Sequence, residues 1–332
     1  MNIRSTITLC LSVFVLTLYA QGPNDSGTYY KNADGKKGAA LKTAFCQIIY
    51  NRTERSYKDL WTDFRSTDAR PDGKVWDMYS GISNFTFGVD QDRGSGNTEG
   101  QYYNREHSFP KSWFGGEIKP MYTDLHHMYP VDKVVNNRRS NYPFGETSGD
   151  YWTSANDFSK LGQCTYPGYT GRVFEPNDEY KGDFARTYFY MVTCYEEKLP
   201  DWYRNYSNTE VGATLDGNTY PGLSAWQLEM LMKWAAADPV SQKEIDRNNA
   251  VYKIQKNRNP FIDYPGLEQY IWGSKKGEAF HYSTEDTGID SPLDEPSQKE
   301  IYGLDGRRHY TLQRGINIVR EASGKVRKVL FR

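Results

Sequence analysis

The chain has 332 residues, enough for one large or two modest hydrophobic cores. Its 41 Lys+Arg against 42 Asp+Glu exclude a protein that grips polyanions through bulk charge, so any affinity for nucleic acid must come from a local patch. Aromatic residues make up 15%, among them 27 tyrosines, which supplies core material and leaves rings available to stack on bases.

Residues 1–20 read as a secretory signal peptide. Arg4 gives the positive start, Ile7 to Tyr19 is mostly apolar, and Ala20 offers a small residue before Gln21. The apolar run is short for a bilayer span, no stop-transfer pattern follows, and no later segment is long and apolar enough to cross a membrane. A soluble, exported mature chain is expected. Cys10 would leave with the signal, so Cys46, Cys164 and Cys194 remain, allowing at most one bridge. Their spacing matches no zinc motif, and buried, unpaired thiols are expected.

Leu41, Ala44, Phe45, Ile48 and Ile49 recur at helical spacing, and Tyr57 to Phe64 forms a second amphipathic piece. The short aromatic-rich run Lys74 to Tyr79 predicts a strand. After the Gly/Asp-rich loop Val89–Gly100, a second strand is predicted over Gln101–Phe109, ended by Pro110. Val131–Ser140 carries few breakers and predicts a helix, stopped by Asn141-Tyr142-Pro143. Strand, strand and helix would form a compact ββα unit that brings His107 and Asn136 together. Gly182–Glu197 predicts a helix with one apolar stripe, and Trp226–Ala237 and Val240–Gln255 predict two more.

Within the ββα stretch lie three of the five histidines, His107, His126 and His127, alongside Glu106, Asp124, Asn136, Asn137 and Asn141, with Arg138 and Arg139 beside them. Imidazole moves protons near neutral pH, and carboxylate or amide oxygens suit magnesium, calcium or manganese better than zinc. That combination points to metal-assisted attack on a phosphate ester, with His107 as general base and Glu106 and Asn136 as metal ligands. His126 or His127 would brace the site through hydrogen bonds. One obstacle stands out: Glu106 and His107 are neighbours on a strand and should point to opposite faces unless the strand twists or ends there.

The motifs Arg105-Glu106-His107…Pro110, Asp124-Leu125-His126 and Val135-Asn136-Asn137-Arg138-Arg139-Ser140-Asn141 resemble the endonuclease I family of bacterial exported nucleases, of the His-Me finger (ββα-metal) class. The resemblance continues through Val173-Phe174-Glu175-Pro176, Lys181 to Arg186 and Asn257 to Phe261, covering roughly Lys37 to Gly273. It implies an α+β fold and a secreted, magnesium-dependent, non-specific endonuclease that cuts DNA and RNA to 5′-phosphate products. It supports the same roles for His107, Glu106 and Asn136. Periplasmic relatives carry a longer insert after the catalytic strand, with an arginine that steadies the transition state. Here Gly115 to Tyr122 is short, so that role falls to Arg138, Arg139 or Arg186, or is empty. Two alternatives stay open: an extracellular ribonuclease restricted to RNA, and an inactive surface-binding protein on a nuclease-like core.

The nuclease domain is expected over residues 21–282 and a polar linker over 283–298. Residues 299–332 form a small basic β pattern in which Ile301 to Arg308 and Gly315 to Ile318 resemble sorting domains that direct Bacteroidota proteins through type IX secretion. The expected destination is the extracellular space or outer-membrane surface, reached via the periplasm.

Overall fold

The computed structural model describes residues 28–282, apart from Arg93 and Ser95, and the strand segments of the C-terminal piece. The signal-like residues 1–20 and the linker lie outside the described residues. Two compact units are distinguished, Met1–Thr287 and Gly288–Arg332.

In the larger unit, α1 (Gly38–Ile49) and α2 (Leu60–Thr67) follow the apolar spacing that predicts them. The Lys74–Tyr79 run is not a strand. Its ladder is a single bridge between Val75 and Ala69, closed by the turn at Pro71-Asp72-Gly73. Val75, Met78 and Tyr79 are nonetheless buried, so the run's apolar residues reflect burial and not pairing.

The strand that pairs with β1 (Tyr103–His107) is β2 (Met128–Asp132), antiparallel, with Glu106 opposite Tyr129 and His107 opposite Met128. Pro130 in its middle disguises it, since proline is poor in a central strand. In a two-stranded ladder it sits opposite Arg105 without breaking a sheet interior. Helix α3 (Lys133–Arg139) starts directly from β2 because Asp132 caps it, accepting from the backbone N–H groups of Val134 at 2.7 Å and Val135 at 3.0 Å. A ββα unit is therefore present, built from a later second strand than the sequence predicts.

A three-stranded antiparallel sheet follows, β3 (Trp152–Thr153), β4 (Lys160–Gln163) and β5 (Arg172–Glu175). Helix α4 (Lys181–Cys194) is buried along nearly its whole surface, in place of the single predicted stripe. Around it stand α5 (Leu199–Tyr206), α6 (Glu210–Thr214), α7 (Ala225–Ala237), α8 (Gln242–Gln255), α9 (Pro260–Asp263) and α10 (Leu267–Ile271). Ser241 and Glu244 form a reciprocal cap at the start of α8. Phe184, Tyr188, Phe144, Phe109 and Trp113 join α4 to the ββα unit in one aromatic core. A second cluster of Leu60, Phe64, Phe85, Tyr103, Leu125 and Met128 backs the β1–β2 ladder. Cys46, Cys164 and Cys194 are buried free thiols, as expected. The mixed helix and sheet content agrees with an α+β fold, and no described helix is long and apolar enough to cross a membrane.

The smaller unit is a four-stranded antiparallel sheet of β6 (Glu300–Tyr302), β7 (Arg308–His309), β8 (Gly315–Arg320) and β9 (Val326–Phe331), in the order β7-β6-β8-β9.

Candidate active site

Strand alternation divides β1 as the sequence predicts. Asn104 and Glu106 face α3, while Tyr103, Arg105 and His107 face the aromatic side. On the α3 side, Glu106 is 4% exposed, and its Oε1 accepts from the Tyr79 hydroxyl at 2.8 Å and lies 3.1 Å from Arg139 NH1. The Asn136 side chain also hydrogen-bonds Glu106, and its Nδ2 donates to Asn104 Oδ1 at 2.7 Å. Burial raises the Glu106 pKa, and Arg139 and Tyr79 offset part of that rise.

These oxygens suit a hard divalent cation. A buried carboxyl that resists ionising gains from one more positive charge, and the Asn136 amide of α3 lies beside it. Among the described residues no group of three His, Cys, Asp or Glu side chains converges to hold a metal. A sparse protein donor set is what magnesium accepts, since it keeps several waters. Zinc, which takes three or four nitrogen, sulfur or carboxylate ligands, is not served by it.

On the opposite face His107 is held by the loop that follows β1. Its Nε2 lies 2.9 Å from the Tyr122 carbonyl oxygen. A carbonyl can only accept, so Nε2 carries the proton and Nδ1 keeps the lone pair. The ring stacks on Tyr122 with centroids 5.2 Å apart and lies 6.0 Å from Tyr57. Burial, then the neighbouring His127, holds the His107 pKa well below the usual imidazole value, so the ring is neutral at pH 7. Glu106 and His107 thus diverge, and the strand ends at His107.

The other histidines brace this loop. His127 Nε2 lies 2.6 Å from the Met121 carbonyl, and its ring centroid is 5.6 Å from that of His107. His126 packs on Tyr190, with Nε2 3.3 Å from the Asn257 carbonyl, and burial depresses its pKa to about 3. Asp124 is buried against Arg52, accepts from the hydroxyls of Tyr190 and Tyr195 at 2.8 Å each, and takes Gln255 Nε2 at 3.0 Å. Burial would raise its pKa, but Arg52 and the other partners hold it well below the usual carboxylate range. It anchors the loop and faces no open site.

The arginines separate. Arg139 is 1% exposed and donates to the carbonyls of His107 at 3.1 Å and Ser108 at 2.6 Å as well as pairing with Glu106. Arg186 pairs with Glu244 at 2.5 Å between α4 and α8. The expectation that either one meets a phosphate conflicts with that burial, because both guanidiniums are enclosed by protein partners. Arg138 is exposed, its guanidinium 5.8 Å from the Trp152 ring. Asn141 is turned away, its amide donating to Glu210 at 2.9 Å.

Arg105 is the residue to which the sequence assigns no role. Its guanidinium lies 3.5 Å from the Tyr57 ring centroid and 4.3 Å from that of Trp61. NH1 donates to the Tyr57 carbonyl at 2.6 Å, Nε is buried without a partner, and no described carboxylate lies within ion-pair distance. Two-residue spacing from His107 was the available signal, since it puts both on one strand face. The roles of Tyr79 and Tyr122 had no local signal.

A family model described as Endonuclease I matches residues 37–266. The chain is 36% identical over 253 residues to an extracellular ribonuclease of Bacillus amyloliquefaciens, covering 75% of this chain and 79% of that protein. It is 34% identical over 255 residues to an extracellular ribonuclease of Bacillus subtilis, with the same 75% and 79% coverage. A periplasmic deoxyribonuclease of Aeromonas hydrophila is 27% identical over 147 residues, covering 44% of this chain and 50% of that protein. The matched span contains both faces of β1, α3 and the bracing loop, and on it the chain belongs to the endonuclease I family and is a nuclease.

Proposed function

We propose that this nuclease is secreted and hydrolyses phosphodiester bonds of DNA and RNA without sequence preference, leaving 5′-phosphates. The observation that carries the reading is the His107 ring, pinned through Nε2 by the Tyr122 carbonyl and held neutral by burial, which leaves on Nδ1 the lone pair that would take a proton from water. Glu106 and Asn136 would hold one magnesium ion, with calcium or manganese suited to the same oxygens. When bound, it would neutralise charge on the phosphoryl group and the leaving oxygen. Arg139 and Tyr79 fix the Glu106 carboxylate, and the Asp124 network holds the loop that carries Tyr122. Export is supported by the signal-like N-terminus and by the extracellular and periplasmic names of the relatives. The C-terminal sheet would serve type IX sorting to the cell surface or medium.

A second reading, restriction to RNA, is favoured by one observation: the two ribonucleases match three quarters of the chain, the periplasmic deoxyribonuclease less than half. The inactive reading has less support, since the chain carries His107, Glu106 and Asn136, and its relatives are named as nucleases. Incubating the purified protein with supercoiled plasmid and with RNA, with magnesium or with EDTA, separates the three. Cutting of both substrates supports the proposal, RNA alone supports the second reading, and neither supports the third.

Asn136→Ala should raise the magnesium concentration for half-maximal activity by about tenfold or more, as loss of one of few ligands would do. An unchanged magnesium requirement, or recovery of EDTA-treated enzyme by zinc alone, would remove Asn136 from the metal site.

Arg105 takes the place of the arginine missing from the short Gly115–Tyr122 segment. An unpaired, half-buried guanidinium on the His107 face is costly unless an anion meets it, and a phosphoryl oxygen is that anion. Arg105→Gln should lower kcat by about a hundredfold, the size of losing one donor to a developing oxyanion, with Arg105→Lys recovering part of it. A kcat within threefold of wild type would rule this role out.

A further inference from the structure

The far side of α3 carries an arginine–aromatic surface that hydrolysis itself does not use. Arg138 lies two residues beyond Asn136, exposed, with its guanidinium 5.8 Å from the Trp152 ring. Tyr151 precedes Trp152 and is 56% exposed, and the Arg172 guanidinium lies 3.8 Å from its ring centroid. Arg172 NH1 also donates to the Tyr142 hydroxyl at 2.9 Å, and the guanidinium carbon lies 5.2 Å from that ring's centroid. Neither arginine has a carboxylate within ion-pair distance among the described residues. Glu175, the acid nearest Arg172 in sequence, is held by Lys181 at 2.6 Å, and Asp150, beside Tyr151, has its Oδ1 engaged by the backbone N–H of Gln163 at 2.8 Å. Flat rings thus stand beside positive charge, Trp152 by Arg138 and Tyr151 and Tyr142 by Arg172, and Tyr142 is tied to the end of α3 by its N–H on the Arg139 carbonyl at 3.2 Å.

We infer that this surface is a track for an unpaired nucleic-acid strand, with Tyr151 stacking on a base and Arg138 and Arg172 meeting phosphates on either side of it. Rings take any base by its face, so the track is indifferent to sequence, but the base must be unstacked to reach them. A paired duplex keeps its bases inside and offers only phosphates. The near-neutral overall charge makes such a local surface necessary, because bulk attraction is absent. Arginine suits both tasks, pairing with phosphate and lying flat on aromatic rings. The inference rests on the nuclease reading of the Glu106–Asn136 site for its biological sense, and it assigns that site single-stranded regions as preferred substrate.

The test measures binding of a fluorescein-labelled 12-nucleotide RNA strand and of the matching duplex to the intact protein in EDTA, across a salt series. Tyr151→Ala should weaken binding of the single strand by about fivefold or more, the loss of one stacked base, and leave duplex binding near wild type. Arg172→Gln should weaken the single strand and make its salt slope shallower by about 0.7, the loss of one phosphate contact. Because Tyr151 is largely exposed, its variant should fold normally, and melting temperature checks the Arg172 variant. Single-strand affinity within twofold of wild type in both variants, with unchanged salt slopes, overturns the track. Cleavage by the wild-type protein in magnesium is measured in parallel. Variants that lose binding while the wild type cuts nothing uphold the track and sink the nuclease reading. Efficient wild-type cleavage with unaltered variant binding does the reverse.

Discussion

His107→Ala should slow cleavage of plasmid and RNA by about two to four orders of magnitude, the span of a general-base contribution. Substrate affinity measured in EDTA should change little, because the imidazole acts on water. The ring fills space against Tyr122 and Phe114, so some stability will be lost, and His107→Gln limits that loss while still removing the base. A variant cutting at near wild-type rate would end the assignment. The pH dependence offers an independent check. With its pKa held well below 6.5 by burial and by His127, His107 stays unprotonated as pH falls below 6.5, so cleavage should persist there. Stability has its own trend. His107, His126 and His127 are all depressed by burial, so the unfolded chain binds protons near pH 6.5 that the folded chain refuses until lower pH. Folding free energy is therefore lost as pH falls through that window, and thermal melting at each pH distinguishes unfolding from titration of the base.

The motif residues were legible in sequence because the chemistry demands rare side chains close together along the chain. Glu106 and His107 on β1 and Asn136 on α3 belong to one unit with β2 between them, and the unit's helix follows from an uninterrupted polar–apolar run. The unit's second strand was hidden by Pro130 and by the missing loop between β2 and α3, which made Val131 onward look purely helical. The arginines were harder. Their side chain is equally at home on phosphate, on carboxylate or on a backbone carbonyl, and the choice depends on partners distant in sequence. Arg186 meets Glu244 from a helix 58 residues later, and Arg139 meets Tyr188 and the carbonyls of β1's end. Arg105 shows the converse, because the lack of an ion-pair partner among the described residues is a fact about all its neighbours at once. The tether on His107 comes from a main-chain carbonyl, a group every residue has, so no side-chain pattern could announce it.

Arg139→Ala should destabilise the protein by about 3–5 kcal/mol, the range for removing one member of a buried ion pair. The guanidinium is enclosed, with Glu106 Oε1 and the His107 carbonyl each at 3.1 Å, the Ser108 carbonyl at 2.6 Å and the Phe144 ring centroid at 4.9 Å. Its loss leaves Glu106 buried without its counter-charge and strips donors from two carbonyls at the turn where β1 ends. For a domain of this size that corresponds to a fall in melting temperature of about 10 °C. Arg139→Lys should recover part of the stability, since it restores the charge without the fork that bridges the carboxylate and both carbonyls. Were Arg139 instead the cation that meets the phosphate, alanine would abolish cleavage and leave melting nearly unchanged. A variant melting within about 2 °C of wild type yet cutting a hundredfold more slowly would return Arg139 to the catalytic set. A large loss of stability, with Arg139→Lys cutting in proportion to its folded fraction, makes it a positioning residue that acts through Glu106.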